Sequence, residues 1–187
     1  MKSKIAGLLS ASAIALSSVL FWTGCDSSTN PTGTPSGNTH AALINSCTLV
    51  TQAEAEAILG QPVLTVKLDT NKYITNCEYL GSVASGFILP SRLSVTAFTT
   101  AGIQGGLAPT FTVPIYFAGL KTNTTDWEAV GGVGTEAIWQ KKPGTLQMYK
   151  GDVTAALNYS PHGTAIDTSA AAKAGAIAAG IKVAEKL

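Results

Sequence analysis

Residues 145–159 decide the fold, and they read TLQMYKGDVTAALNY. Two short runs in this stretch, Thr145 to Lys150 and Val153 to Tyr159, flank the dipeptide Gly151-Asp152. A glycine-containing dipeptide between two such runs is a hairpin signal, because tight hairpin turns require positive φ angles. We therefore predict two adjacent antiparallel strands near the C-terminus.

Alternation predicts a further strand earlier in the chain. Within Val63 to Leu68, the residues Leu64, Val66 and Leu68 share one face, and a threonine and a lysine lie on the other. This two-residue period is typical of a half-buried strand. Four other segments also read as extended. They are Tyr73 to Leu80, Phe87 to Leu89, Arg92 to Thr99 and Ala137 to Gln140.

A short helix is predicted before the first strand. Thr51 and Glu54 have the spacing of a capping box, in which each side chain hydrogen-bonds the backbone N–H of the other residue. Gly60 is a suitable stop. These signals predict an amphipathic helix from Thr51 to Leu59.

A longer helix is predicted at the C-terminus. Asp167 or Thr168 can cap it, and it runs nearly to Leu187. Its spacing predicts a buried, alanine-rich stripe that packs closely on the sheet. The stripe consists of Ala170, Ala174, Ile177, Ile181 and Ala184.

Together these elements predict an α+β fold. We expect an antiparallel sheet of about 5–7 strands, covered by the short N-terminal helix and the longer C-terminal helix. The globular part is predicted to be one domain over residues 41–187, which is near the commonest domain size.

The stretch from Thr100 to Gly119 shows no clear period. Glycines and prolines interrupt its apolar and aromatic residues, so we expect a long loop that caps the core or an irregular edge strand. Such loops often carry function. The stretch is therefore either an apolar loop folded onto the sheet or a surface for a partner or an apolar ligand. The residues of this candidate surface are Phe111, Ile115, Tyr116 and Phe117.

The N-terminus has the pattern of a secretory signal. Two lysines in the first four residues precede an uncharged apolar run that closes on small residues and Cys25. The run is at the lower edge of membrane-spanning length, so an uncleaved signal anchor is the alternative. We predict a signal peptide over residues 1–24. Residues 25–40 contain no large apolar side chain and are predicted to be a disordered linker.

Trp22-Thr23-Gly24-Cys25 resembles the lipobox of bacterial lipoproteins. The last three residues fit the motif, while Trp22 stands where Leu, Val or Ile is usual. The resemblance implies that Cys25 carries a thioether-linked diacylglycerol. It also implies that lipid anchors the domain, outside the cytoplasm, to a bacterial cell membrane or outer membrane.

The cysteine count agrees with lipidation. The chain has three cysteines, an odd number for an exported protein. If Cys25 is acylated, Cys47 and Cys77 remain, and an oxidising compartment favours a disulfide between them. Two buried free thiols are the alternative.

Composition and motifs argue against several function classes. Only 12% of the residues are charged and the formal net charge is +1, so we expect no nucleic-acid partner. Two cysteines without a nearby histidine cannot complete a tetrahedral metal site. Gly132 to Ala137 fits a dinucleotide-binding string, but a turn leaves no room for the helix that must follow, so we expect no cofactor.

No catalytic constellation is visible, and we expect a protein that is not an enzyme. His162, the only histidine of the predicted domain, lies in a turn, where solvation is usual. The alternative is a small envelope hydrolase in which His162 acts with a nearby carboxylate such as Asp152 or Asp167.

Three pieces of the globular part resemble small exported lipoproteins of unknown function, best known from actinobacteria. They are Cys47 to Thr51 leading into Pro62-Val63, then Cys77-Glu78-Tyr79, then Gly132 to Ala137 before the hairpin and the last helix. The resemblance implies a compact α+β domain with one disulfide and no assigned catalytic residue.

These expectations favour a non-enzymatic, lipid-anchored binding or interaction domain in the cell envelope. Its partner would be a protein or an apolar ligand, besides the membrane that holds the anchor. A structural spacer or an inhibitor of an envelope enzyme is a further alternative.

Overall fold

The computed structural model describes residues 43–106, 109–123, 126–164 and 166–187. The predicted signal peptide, the lipidation site Cys25 and the linker to residue 40 lie outside the described residues. Across the described ranges, no helix is long and apolar enough to cross a membrane.

The described residues form seven strands and five helices. The strands are β1 (Thr65–Thr70), β2 (Thr75–Val83), β3 (Pro90–Thr99), β4 (Trp127–Ala129), β5 (Glu136–Gln140), β6 (Thr145–Lys150) and β7 (Val153–Ser160). The helices are α1 (Ser46–Leu49), α2 (Gln52–Leu59), α3 (Thr100–Gly106), α4 (Val113–Asn123) and α5 (Ala170–Lys186). The α+β class is confirmed.

One antiparallel sheet holds all of these strands, in the order β1-β2-β3-β7-β6-β5-β4. After β3 the chain passes through α3 and α4 to the far edge, and the later strands return until β7 pairs with β3. The predicted hairpin is confirmed, since Lys150 pairs with Val153 and Gly151 has a φ of 57°. This topology leaves β1 and β4 as the two edge strands.

The helices α1, α2 and α5 cover one face of the sheet, where the main core lies. The predicted capping box of Thr51 and Glu54 is present at the start of α2. Cys47 of α1 and Cys77 of β2 form the predicted disulfide, with their Cα atoms 5.0 Å apart. The hydroxyl of buried Tyr79 donates to Val50 O, so a covalent and a polar link fix α1 on β2.

The last helix begins later than predicted, and its buried stripe only partly matches the predicted one. Ile177 and Ala184 pack against the core, whereas Ala170, Ala174 and Ile181 are exposed. Ser169, not Asp167 or Thr168, is the N-cap, and its Oγ accepts from Ala172 N at 3.1 Å. A Cβ at Gly180 would lie 2.6 Å from Leu146 Cδ2. The sheet therefore selects the smallest side chains of the helix, and Ile181 is 40% exposed. The buried stripe is Ala172, Ala176, Ala179, Gly180 and Val183.

The predicted burial of the first strand is wrong. Leu64, Val66 and Leu68 are 69%, 40% and 49% exposed. They share a face with the core, because Leu68 pairs with buried Cys77 across the sheet. As β1 is an edge strand, it lies beyond the cover that α1 and α2 give to β2 and β3.

The prediction of a loop or edge strand over Thr100 to Gly119 is also wrong. Helices α3 and α4 occupy most of this stretch and contact β3, β6 and β7. Pro114 is tolerated because it lies in the first turn of α4, where its missing N–H has no partner to lose. The two helices cover a second, smaller apolar cluster around Phe98, Ile103 and Val113.

Candidate functional site

An apolar pocket of about 410 Å³ lies at this second cluster, between α3, α4, β3 and the β1–β2 turn. Its size falls in the range of small-molecule sites. No charged side chain lines it. The lining residues are Tyr73, Ile74, Phe98, Gly102, Ile103, Gly106 and Tyr116.

The β1–β2 turn supplies one wall. Asn71 Oδ1 accepts hydrogen bonds from Tyr73 N and Ile74 N, both at 2.9 Å. Asn71 N donates to Ile74 O at 3.0 Å. Asparagine often closes a turn in this way, by hydrogen-bonding backbone groups two or three residues ahead. This turn fixes the backbone of both wall residues.

Glycines in α3 supply the opposite wall. Thr99 Oγ1 accepts from Gly102 N at 3.1 Å and so caps the start of the helix. A Cβ at Gly102 would lie 2.6 Å from Tyr73 O, and one at Gly105 would lie 2.7 Å from the Tyr73 ring. Tyr73 therefore lies directly on α3, at a contact distance that only glycine permits.

The start of α4 closes the pocket. Thr100 Oγ1 accepts from Val113 N at 3.1 Å, which ties the first residue of α4 to that of α3. The Tyr116 ring meets Phe98 edge to face, with centroids 5.2 Å apart and an interplanar angle of 81°. Burial raises the pKa of Tyr116, so its phenol is neutral at physiological pH.

Two tyrosines that line the pocket have hydroxyl groups without a protein partner. Neither the Tyr73 hydroxyl nor the Tyr116 hydroxyl forms a hydrogen bond within the described ranges. Each is both a donor and an acceptor. An apolar lining with a few polar groups is the usual make-up of a site that orients a small ligand.

The structure separates the four residues of the candidate surface. Tyr116 lines the pocket, whereas Phe117 is fully buried with its ring 5.0 Å from that of Tyr149. Phe111 and Ile115 are 38% and 49% exposed and do not line the pocket.

Sequence reasoning missed most of the pocket, because its walls come from four distant segments. The sequence places Tyr73, Ile74 and Phe98 only in predicted strands. One usable signal was present, since Gly102, Gly105 and Gly106 lie close together in an otherwise apolar segment, and clustered glycines indicate close backbone approach.

The structure also locates the residues of the hydrolase alternative. His162 is exposed and its ring stacks on Phe87, with centroids 4.6 Å apart and 9° between the planes. Asp152 lies at the other end of β7, roughly 23 Å along the strand and far beyond hydrogen-bond reach. Asp167 lies on the His162 side, and its Oδ1 accepts from Ser169 N at 2.9 Å. The hydrolase alternative, with His162 and a nearby carboxylate other than Asp152, stays a prediction.

A smaller cavity of about 210 Å³ lies at the opposite end of the sheet, between the β2–β3 loop and Gly163. Arg92 Nη1 lies 3.5 Å from Glu78 Oε1 on its wall, so the two charges offset each other.

In the described part of the chain, no group of three or more His, Cys, Asp or Glu residues could hold a metal ion. No known protein family, curated protein or solved structure matches the chain.

Proposed function

We propose that this chain is a lipid-anchored domain of the bacterial cell envelope that binds a small, mainly apolar ligand between α3 and α4. The observation that carries the proposal is the apolar pocket of about 410 Å³ with two unpartnered phenol groups. A ligand that enters the pocket removes its apolar walls from water, which favours binding. The Tyr73 and Tyr116 hydroxyls are available to hydrogen-bond such a ligand.

The ligand class follows from the walls of the pocket. Aromatic rings and aliphatic side chains favour a flat or short apolar body. The phenols favour a hydroxyl or carbonyl group on that body. The absence of charge among the lining residues favours an uncharged ligand, since a buried charge without a partner is costly.

The envelope location rests on the sequence around Cys25. The Cys47–Cys77 disulfide supports it, because such bonds persist in oxidising compartments outside the cytoplasm. It also leaves Cys25 as the one cysteine of three that is not in that bond. Binding rather than catalysis is favoured because no titratable side chain except the two phenols lines the pocket.

Calorimetric titration with 1-naphthol, a neutral aromatic alcohol, tests the binding proposal on residues 41–187 with the disulfide formed. We expect Ile74→Trp to fill the pocket and to abolish binding. Tyr116→Phe should weaken binding by about 3–10-fold, the effect of one lost neutral hydrogen bond.

The matched control is Leu64→Trp, which adds the same indole on the exposed edge strand, where Leu64 is 69% exposed. It should bind 1-naphthol like the parent. Thermal unfolding of each variant checks that the fold is kept. If Ile74→Trp binds as tightly as Leu64→Trp, the pocket is not the binding site.

A further inference from the structure

The loop between β2 and β3 exposes three consecutive large apolar residues. Phe87, Ile88 and Leu89 are 42%, 92% and 47% exposed, and Val83 at the end of β2 is 52% exposed. Single exposed apolar residues are normal on protein surfaces, but a contiguous apolar patch marks a contact with a partner or a membrane.

This loop is packed in place. Phe87 N donates to Ala84 O at 3.0 Å, across a turn in which Gly86 has a φ of 85°. The Phe87 ring stacks on His162. A Cβ on Gly163 would collide with the backbone of Leu89, so the neighbouring turn lies directly against the loop. These contacts fix the backbone of the loop while its apolar side chains stay exposed.

Two further exposed apolar residues lie outside the tip, and the Arg92–Glu78 ion pair lies beside the loop. Leu64, whose N donates to Leu80 O at 2.8 Å, lies at this end of β1. Ile166, in the segment that follows β7, is 61% exposed. The sequence from Ser82 to Ser91 contains no charged residue, so no side-chain charge of the loop opposes its contact with an apolar medium.

We propose that the tip formed by Phe87, Ile88 and Leu89 inserts into the lipid bilayer that holds the Cys25 anchor. The tip connects two paired strands, and its three consecutive apolar side chains are all exposed. A bilayer surrounds such a tip, whereas a folded partner would need a matching groove. The proposal rests on the anchor of the proposed function and is independent of the pocket.

The chain outside the described residues is long enough for this orientation. The chain enters the domain at the start of β2, where the Thr75 hydroxyl donates to Ile44 O. The tip lies at the other end of β2, roughly 27 Å away. The 19 residues from Cys25 to Ile44 reach at most about 65 Å. An anchored chain also raises the local concentration of the tip at the bilayer, so a weak apolar contact suffices.

Fluorescence quenching tests the proposal on full-length, lipidated protein in phosphatidylcholine–phosphatidylglycerol vesicles. Ile88→Cys, labelled with the polarity-sensitive dye NBD, reports the tip. Thr70→Cys with the same dye is the matched control, because Thr70 is exposed at the opposite end of the sheet. Lipids that carry a nitroxide group on their acyl chains quench only a dye that enters the bilayer.

We expect the dye at position 88 to emit at shorter wavelength than the dye at position 70. Its quenching should be at least about twofold greater, because the tip would lie about 5–10 Å below the membrane interface. Equal or absent quenching in protein that floats with the vesicles overturns the insertion and leaves the anchor intact. Protein that does not float with the vesicles overturns both the insertion of the tip and the lipid anchor. Titration with 1-naphthol reports on the pocket separately.

Discussion

Glu54 shows how one side chain links two helices. Its Oε2 accepts from Thr51 N at 2.7 Å and from Thr51 Oγ1 at 2.9 Å, and the same oxygen pairs with Lys186 near the end of α5. The hydrogen bonds from Lys186 and from the Thr51 backbone lower the pKa of Glu54 from 4.5 to about 2. The charged carboxylate therefore joins the first turn of α2 to the last turn of α5.

This lowered pKa predicts an acid-sensitive contribution to stability. A folded pKa below the unfolded value means that the contribution is complete above about pH 4.5 and is lost as the pH falls toward 2. Glu54→Gln retains an oxygen for the capping box but loses the charge. We expect urea unfolding to show the parent more stable than Glu54→Gln at neutral pH, with the difference shrinking between pH 4.5 and 2.

Glu185→Gln provides the control for that measurement. Glu185 is exposed and pairs with Lys182 on the same helix, three residues away. Such surface pairs contribute about 0–1 kcal/mol, so little loss of stability is expected. A Glu54→Gln effect of the same size at neutral pH and at the acid end of the range would contradict the assigned role.

At the scale of elements, α3 depends on its glycines. A Cβ at Gly102 would lie 2.6 Å from Tyr73 O, a backbone atom that cannot rotate away. We expect Gly102→Ala to lower the free energy of unfolding by about 1–3 kcal/mol, the usual cost of overpacking. The same change should weaken 1-naphthol binding, because Tyr73 lines the pocket.

Gly119→Ala is the matched substitution in α4. A Cβ at Gly119 would meet no atom within 4 Å. Alanine should therefore stabilise the helix by up to about 1 kcal/mol, the difference in helix propensity. Chemical denaturation of both variants gives the comparison. Destabilisation of similar size in both would mean that helix α3 has no special need for glycine.

The elements that sequence predicted well are those set by local contacts. The capping box at Thr51 and the turn at Gly151 involve residues three or fewer positions apart. The helices α3 and α4 were missed because glycine and proline signals oppose helix formation locally. Packing on the sheet overrides that propensity, and three of the glycines border Tyr73.

The sequence alone could not predict which face of α5 is buried or where the pocket lies, because both depend on tertiary packing. An alanine-rich helix has little contrast between its faces, so the two isoleucines at positions 177 and 181 set the predicted stripe. The sheet instead selects small residues, with Gly180 against Leu146. The pocket joins Tyr73, Phe98 and Tyr116, whose proximity depends on the crossover from β3 and not on any local pattern.

At the scale of the whole molecule, the pocket and the apolar tip lie at opposite ends of the sheet. Tyr73 precedes β2 and Phe87 follows it, so the two sites are separated by roughly 27 Å of strand. A tip that enters the bilayer would turn the pocket away from it. A ligand would then reach the pocket from the aqueous side of the envelope, not by lateral diffusion within the membrane.

The envelope location and the insertion of the tip both depend on Cys25, so its replacement is the decisive test at this scale. The bond between Cys47 and Cys77 leaves Cys25 as the remaining cysteine of the chain. Since one apolar tip gives only weak membrane binding without an acyl anchor, Cys25→Ala should leave the domain in the soluble fraction or unprocessed. Metabolic labelling with an alkyne fatty acid should mark the parent and the linker control Ser27→Ala, but not Cys25→Ala. Equal labelling of Cys25→Ala and the parent would show that the fatty acid is not attached at Cys25.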